Sequence, residues 1–104
     1  MERIYYISVP LNKLGINEYD HGEDTDNIKS FELDENEYIN ICMTGVFDEI
    51  NNKCNLLIDD YESEIIYGNN LKIALKIAKN NDCKILINAL ELAIKCNTLV
   101  GLDF

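Results

Sequence analysis

Residues 34–54 constrain the fold more than any other stretch, because their apolar side chains recur at intervals of three and four. Ile39, Cys42, Met43, Val46, Phe47, Ile50 and Cys54 share one face of a 3.6-residue period, and Asn40, Asp48, Glu49, Asn51, Asn52 and Lys53 take the rest of the turn. Such a stripe needs an apolar surface to cover it. Asp34 is placed to accept a backbone N–H as N-cap, and Glu37, three residues on, to reach back as in a capping box. Asn55 suits the left-handed conformation that ends a helix. The spacing predicts one continuous helix.

The remaining elements follow in order. Residues 3–9 are β-branched and aromatic, with Ile4, Tyr6 and Ser8 on one side of a strand and Tyr5, Ile7 and Val9 on the other. Apolar groups on both sides predict cover on both faces or nearly so, and Pro10 ends the strand. Residues 11–27 keep no period and read as a long acidic surface loop, with at most a turn of helix near Leu11 and Leu14. Phe31 and Leu33 alternate in a short strand over residues 28–33 that pairs with the first. Residues 56–67 contain apolar runs too short to type by period.

Gly68, Asn69 and Asn70 mark a break. Helix resumes over 71–79, with Lys72, Lys76 and Lys79 as an outer stripe, and Asp82 is expected to cap the next helix, 83–96. Only Lys84, Asn88, Glu91 and Lys95 form a polar strip there, so this helix should be the most buried, with Asn97 as C-cap. Residues 98–104 close the chain as a strand. The expectation is a single α+β domain over 1–104, in which two or three short strands, the N- and C-terminal ones paired, pack on about three helices.

Charge narrows the function. Nineteen acids oppose nine bases, and residues 1–64 hold sixteen of those acids but only four bases, whereas residues 65–104 hold three acids and five bases. A surface this negative repels phosphate backbones, so a nucleic acid is a poor direct partner and a basic protein a better one. Four cysteines, Cys42, Cys54, Cys83 and Cys96, form no CxxC pair and read as reduced, buried small hydrophobes rather than a metal site or disulfides. Without a charged-then-apolar leader or a membrane-length apolar run, the expected compartment is the cytoplasm, with no membrane partner.

No catalytic constellation is visible, so the chain reads as not an enzyme. His21 is the one histidine, Ser8, Ser30 and Ser63 lie in no nucleophile spacing, and the five glycines form no phosphate loop. Around His21 and Gly22 the acids lack the order of a calcium loop, because the glycine precedes them, so neither a metal nor a cofactor is expected. Two acidic patches remain as candidate partner-binding residues. One holds Glu18, Asp20, Glu23, Asp24 and Asp26. The other holds Asp59, Asp60, Tyr61, Glu62 and Glu64, where carboxylates that can accept bidentate bonds from arginine surround an aromatic anchor.

The phrase Gly45-Val46-Phe47-Asp48-Glu49-Ile50-Asn51, followed by the acidic Ile58-Asp59-Asp60-Tyr61-Glu62, resembles small bacterial immunity proteins of polymorphic-toxin and contact-dependent growth inhibition systems. That resemblance implies a cytoplasmic, antitoxin-like inhibitor that binds a cognate toxin domain, often a basic nuclease, and it carries over no catalytic residue. The alternatives are a self-associating module that makes a homodimer through an uncovered strand edge or apolar helix face, and a carboxylate- or metal-dependent hydrolase using Asp59, Asp60 or Glu62.

Overall fold

A computed structural model describes residues 3–104. In chain order the elements are β1 (Tyr5–Pro10), α1 (Lys13–Asp20), β2 (Ile28–Leu33), α2 (Glu35–Met43), α3 (Val46–Cys54), β3 (Ser63–Tyr67), α4 (Asn69–Asn80), α5 (Lys84–Cys96) and β4 (Leu99–Asp103). The strands make one antiparallel sheet in the order β2-β1-β4-β3, so the first and last strands pair at its centre. Four strands and five helices correct the expected two or three strands and about three helices. Among the described residues no helix is long and apolar enough to cross a membrane.

Three local effects account for the difference. The helix expected over 34–54 is broken at Gly45, whose φ of 81° is left-handed and cannot continue a right-handed turn. Thr44 seals the break, its hydroxyl donating to the Ile41 carbonyl at 2.6 Å and accepting from the Val46 N–H at 3.2 Å. The inward face therefore changes between the two halves. In α3 it is Val46, Phe47, Ile50 and Cys54, as the period predicts, but α2 buries Tyr38 and leaves Ile39 51% and Met43 81% exposed.

The expected loop over 11–27 contains α1, capped by the Asn12 side chain, which accepts from the Gly15 N–H at 2.8 Å. Glycine is required at position 15 because the Asn27 carbonyl lies where a Cβ would stand. Finally, the untyped run before Gly68 is strand β3, paired with β4 from Ser63↔Asp103 to Tyr67↔Leu99. Asp82 does not cap α5 either. It takes φ 51° in the turn that closes α4, and the N-cap position falls on Cys83 with no side-chain bond.

Helices α4 and α5 and the α3 half of the broken helix cover one face of the sheet. Ile7, Val9, Val100, Leu102 and Ile66 point into that layer against Val46, Ile50, Ala74, Leu86 and Leu90, all essentially inaccessible. The polar strip of α5 is exposed as its spacing predicts, and α5 buries Leu86, Ala89, Leu90 and Ala93. At one corner Tyr5 stacks on Tyr38 with centroids 3.9 Å apart, and Phe104 meets both rings edge-on.

The changed face of α2 is testable by chemical denaturation. Tyr38→Ala is expected to cost about 3–5 kcal/mol, as for other buried aromatics, whereas Ile39→Ala should stay within about 0.5 kcal/mol of wild type; comparable losses at the two positions would restore the single-helix face.

Candidate functional site

The face of the sheet turned away from α3, α4 and α5 is built from the alternation of all four strands. Because Ile7 and Val9 face the core, Tyr6 and Ser8 face the other way. Cross-strand register then sets Glu32, Tyr6, Asp103 and Ser63 side by side in one row, and Ser30, Ser8, Gly101 and Ile65 in the next. Tyr67 lies one step further along β3 on the same side.

Helix α1 lies over part of this face. Its Tyr19 crosses Gly101, where any side-chain carbon would run into the phenol. The Tyr19 hydroxyl donates to Asp103, 3.2 Å from each carboxylate oxygen, and Ser63 Oγ donates to Oδ1 at 2.9 Å. Burial first, then the Asp103 charge and this hydrogen bond, hold the Tyr19 phenol well above the ordinary tyrosine range. A tyrosinate there would be desolvated beside a carboxylate.

The segment after α1, the segment before β3 and the two rows together enclose a groove of about 1040 Å³. Six carboxylates line it, from Asp20, Glu23, Asp24, Glu32, Glu64 and Asp103, and no lysine or arginine does. Tyr6, Tyr67 and Ile65 supply apolar surface between them.

The ten residues expected to meet a partner divide. Asp20, Glu23, Asp24 and Glu64 line the groove and so come together from both patches. Glu18 is turned inward, accepting from Thr25 Oγ1 at 3.0 Å and Asn27 Nδ2 at 2.8 Å, and it holds the α1–β2 connection in shape. Asp26 is exposed outside the lining. Asp59, Asp60, Tyr61 and Glu62 make the tight turn ahead of β3, bridged between Asp59 and Glu62, and they too lie outside it. Arg3 occupies that turn, its guanidinium 4.7 Å from the Tyr5 ring centroid and 5.5 Å from that of Tyr61, donating to the backbone oxygens of Asp60 and Phe104.

Tyr6, Tyr19, Glu32 and Asp103 are groove residues that the linear acidic patches do not include. Alternation along β1 and β2 was a usable signal for Tyr6 and Glu32. Their meeting with Asp103 depends on the register between the terminal strands, which no local pattern encodes.

Among the described residues no three His, Cys, Asp or Glu side chains are placed to hold a metal ion. His21 is exposed, with Nδ1 2.7 Å from the Asn17 carbonyl oxygen. Burial pushes the Cys54 and Cys83 thiols up, which disfavours thiolate chemistry, while Cys42 departs from the expected buried set by being exposed. No family model matches the chain, and comparison with curated proteins and with solved structures finds no match either.

Gly101→Ala should displace Tyr19 and lower stability by about 1–3 kcal/mol, the usual cost of overpacking. Urea denaturation of the single and double variants checks this, since adding Tyr19→Ala removes most of the penalty. Alkaline titration followed by tyrosinate absorbance offers a second check. The folded protein holds the Tyr19 proton more tightly than the unfolded chain, so this group's contribution to stability is intact below the ordinary value of 10.0 and is lost as pH rises beyond it. Burial also pushes the Tyr38 phenol up, so two tyrosines ionise late; Tyr19→Phe should remove one of the two, and Asp103→Asn should move that one to lower pH.

Proposed function

We propose that this chain is an immunity protein of a bacterial toxin system, acting in the cytoplasm as a non-catalytic binder that neutralises a basic toxin domain through its acidic groove. The groove is the observation that supports the reading: six carboxylates without a base, set around partly exposed tyrosines on a sheet face that the main helical layer leaves uncovered. A concave surface of one sign focuses its field, which draws in an oppositely charged partner and rejects anions. Tyr6 and Tyr67, 39% and 66% exposed, are suited to anchor such a partner once water is displaced. A surface of this kind competes with a phosphate backbone for the basic cleft of a nuclease.

The residues behind the resemblance to immunity proteins have structural work of their own. Gly45 makes the helix break, and Val46, Phe47 and Ile50 lie in the core. The groove therefore carries the proposal, and the motif does not.

The test is capture of the product of the neighbouring reading frame, together with protection of cells that express it. Glu23→Lys with Asp24→Lys, inside the groove, should weaken binding by at least about tenfold, equivalent to about 1.4 kcal/mol, and abolish protection. Asp59→Lys with Glu62→Lys, outside it, should leave both largely intact. Equal loss from the two pairs, or no basic protein bound even at low salt, contradicts the proposal.

A further inference from the structure

The two edges of the sheet are finished differently. The Leu11 N–H donates to the Asn27 carbonyl at 2.8 Å, in step with the β1–β2 register, so the hydrogen-bonded pairs of that ladder are Val9 with Lys29, Ile7 with Phe31 and Tyr5 with Leu33. Ile28, Ser30 and Glu32 therefore turn their backbone groups to the outer side of β2, where the strand order ends. Carried across the sheet, the same alternation turns Ser63, Ile65 and Tyr67 to the outer side of β3.

The β3 edge is occupied by the chain itself. Glu64 bends over it, Oε1 accepting from the Ile65 N–H at 3.0 Å and Oε2 from the Leu57 N–H at 3.1 Å. The β2 edge is open. Thr25 takes the Ile28 N–H at 3.1 Å, but among the described residues the N–H and C=O of Ser30 and of Glu32 meet no hydrogen-bond partner, and both residues are exposed. Such an edge is a template for another strand.

We infer that β2 receives an added strand from the basic partner, paired antiparallel so that its alternate basic side chains enter the groove. The inference rests on the groove being the partner surface. Ile28, Ser30 and Glu32 line the groove, so the open edge and the acidic concavity are one continuous surface. Residues of an incoming strand set opposite Ser30 and Glu32 project over the six carboxylates, which fits Lys or Arg. The residues between them project to the other side, next to the half-buried Phe31 and the Lys29 ammonium 5.8 Å from its ring centroid, which fits apolar side chains and repels basic ones. The ligand is thus an extended segment that alternates basic and apolar, bound through its main chain and selected by its side chains. A second copy fits worse: two β2 strands joined antiparallel bring both six-carboxylate grooves to one side of the sheet, in chains of net charge −10 each.

A blocked Lys-Val-Lys-Val-Lys peptide, titrated into the isotope-labelled full chain at low salt and followed by NMR, tests it. With peptide at about ten times its Kd, solvent exchange of the Ser30 and Glu32 amides should slow about tenfold, and that of Ile65 should not change. In an antiparallel addition the lysine N–H groups face β2 and the valine N–H groups face away. N-methylation of the lysines should therefore weaken binding at least about tenfold, whereas the same change at the valines, with identical charge, should leave it within about threefold. Ser30→Pro removes one outward donor and no bond to β1, so it should weaken binding of the parent peptide by about fivefold or more while the spectra keep the β1–β2 pattern. Equal binding by the two methylated peptides, protection centred on Ile65, or a concentration-dependent dimer whose Ser30 and Glu32 amides are protected without peptide, would overturn the inference.

The two proposals fail separately. A captured basic protein that binds Ser30→Pro as tightly as wild type, yet is lost on Glu23→Lys with Asp24→Lys, removes strand addition and leaves the immunity reading standing. The expected peptide series without any captured basic protein does the reverse.

Discussion

Everything in this fold depends on the pairing of its first strand with its last. The ladder is short, Tyr6↔Asp103, Ile7↔Leu102 and Ser8↔Gly101, yet it closes a loop of nearly the whole chain, so its entropic cost must be offset by what it buries. Alternation across these three pairs does that work on both sides. Ile7 with Leu102 enters the helical core, while on the other side Tyr6, Asp103 and Ser8 line the groove and Gly101 lies under the Tyr19 phenol. The ladder is pinned at each end, by Arg3 reaching Asp60 and Phe104, and by Thr98 Oγ1 donating to the buried Pro10 carbonyl at 2.5 Å. A single structural decision thus creates the core and the candidate site together.

Charge follows the layers. The bases of residues 65–104 sit on α4 and α5, where Lys72, Lys76, Lys79, Lys84 and Lys95 are exposed on the helical side. The groove on the other face has none. Separation of this kind is what makes the groove a directional feature of the molecule: a basic partner approaching the helical side meets cations, and one approaching the sheet meets carboxylates on a tyrosine-rich surface.

Much of the local chemistry was legible in the sequence, although the cap expected from Asp82 does not form. Asp34 and Glu37 form their capping box, with bonds of 2.8 and 3.2 Å, and Asn55 and Asn97 end their helices in the left-handed conformation. The pairing of the terminal strands and of β1 with β2 was also readable, from β-branched runs and a domain too small to leave them apart. The break at Gly45 was not. Ile39, Cys42 and Met43 continue the spacing of Val46 and Phe47, so the pattern runs straight through a change of direction that only Thr44 and Gly45 signal.

The candidate site was half legible for the same reason. Asp20, Glu23, Asp24 and Glu64 stand out as linear acidic runs, but Glu18 in the same run is consumed by Thr25 and Asn27. Tyr19 and Gly101 could be matched only through the tertiary fit of a phenol over a bare backbone. The most direct measurement of that fit is the nuclear Overhauser effect between the Tyr19 ring and the Gly101 α-protons, recorded with the α-proton contacts between Tyr5–Pro10 and Leu99–Asp103. Strong cross-peaks in both sets are expected from a groove built on the paired terminal strands. A Tyr19 ring with free-chain shifts and no contact to Gly101, or cross-strand peaks offset by one residue, would contradict it, since that slip would turn Asp103 toward the core.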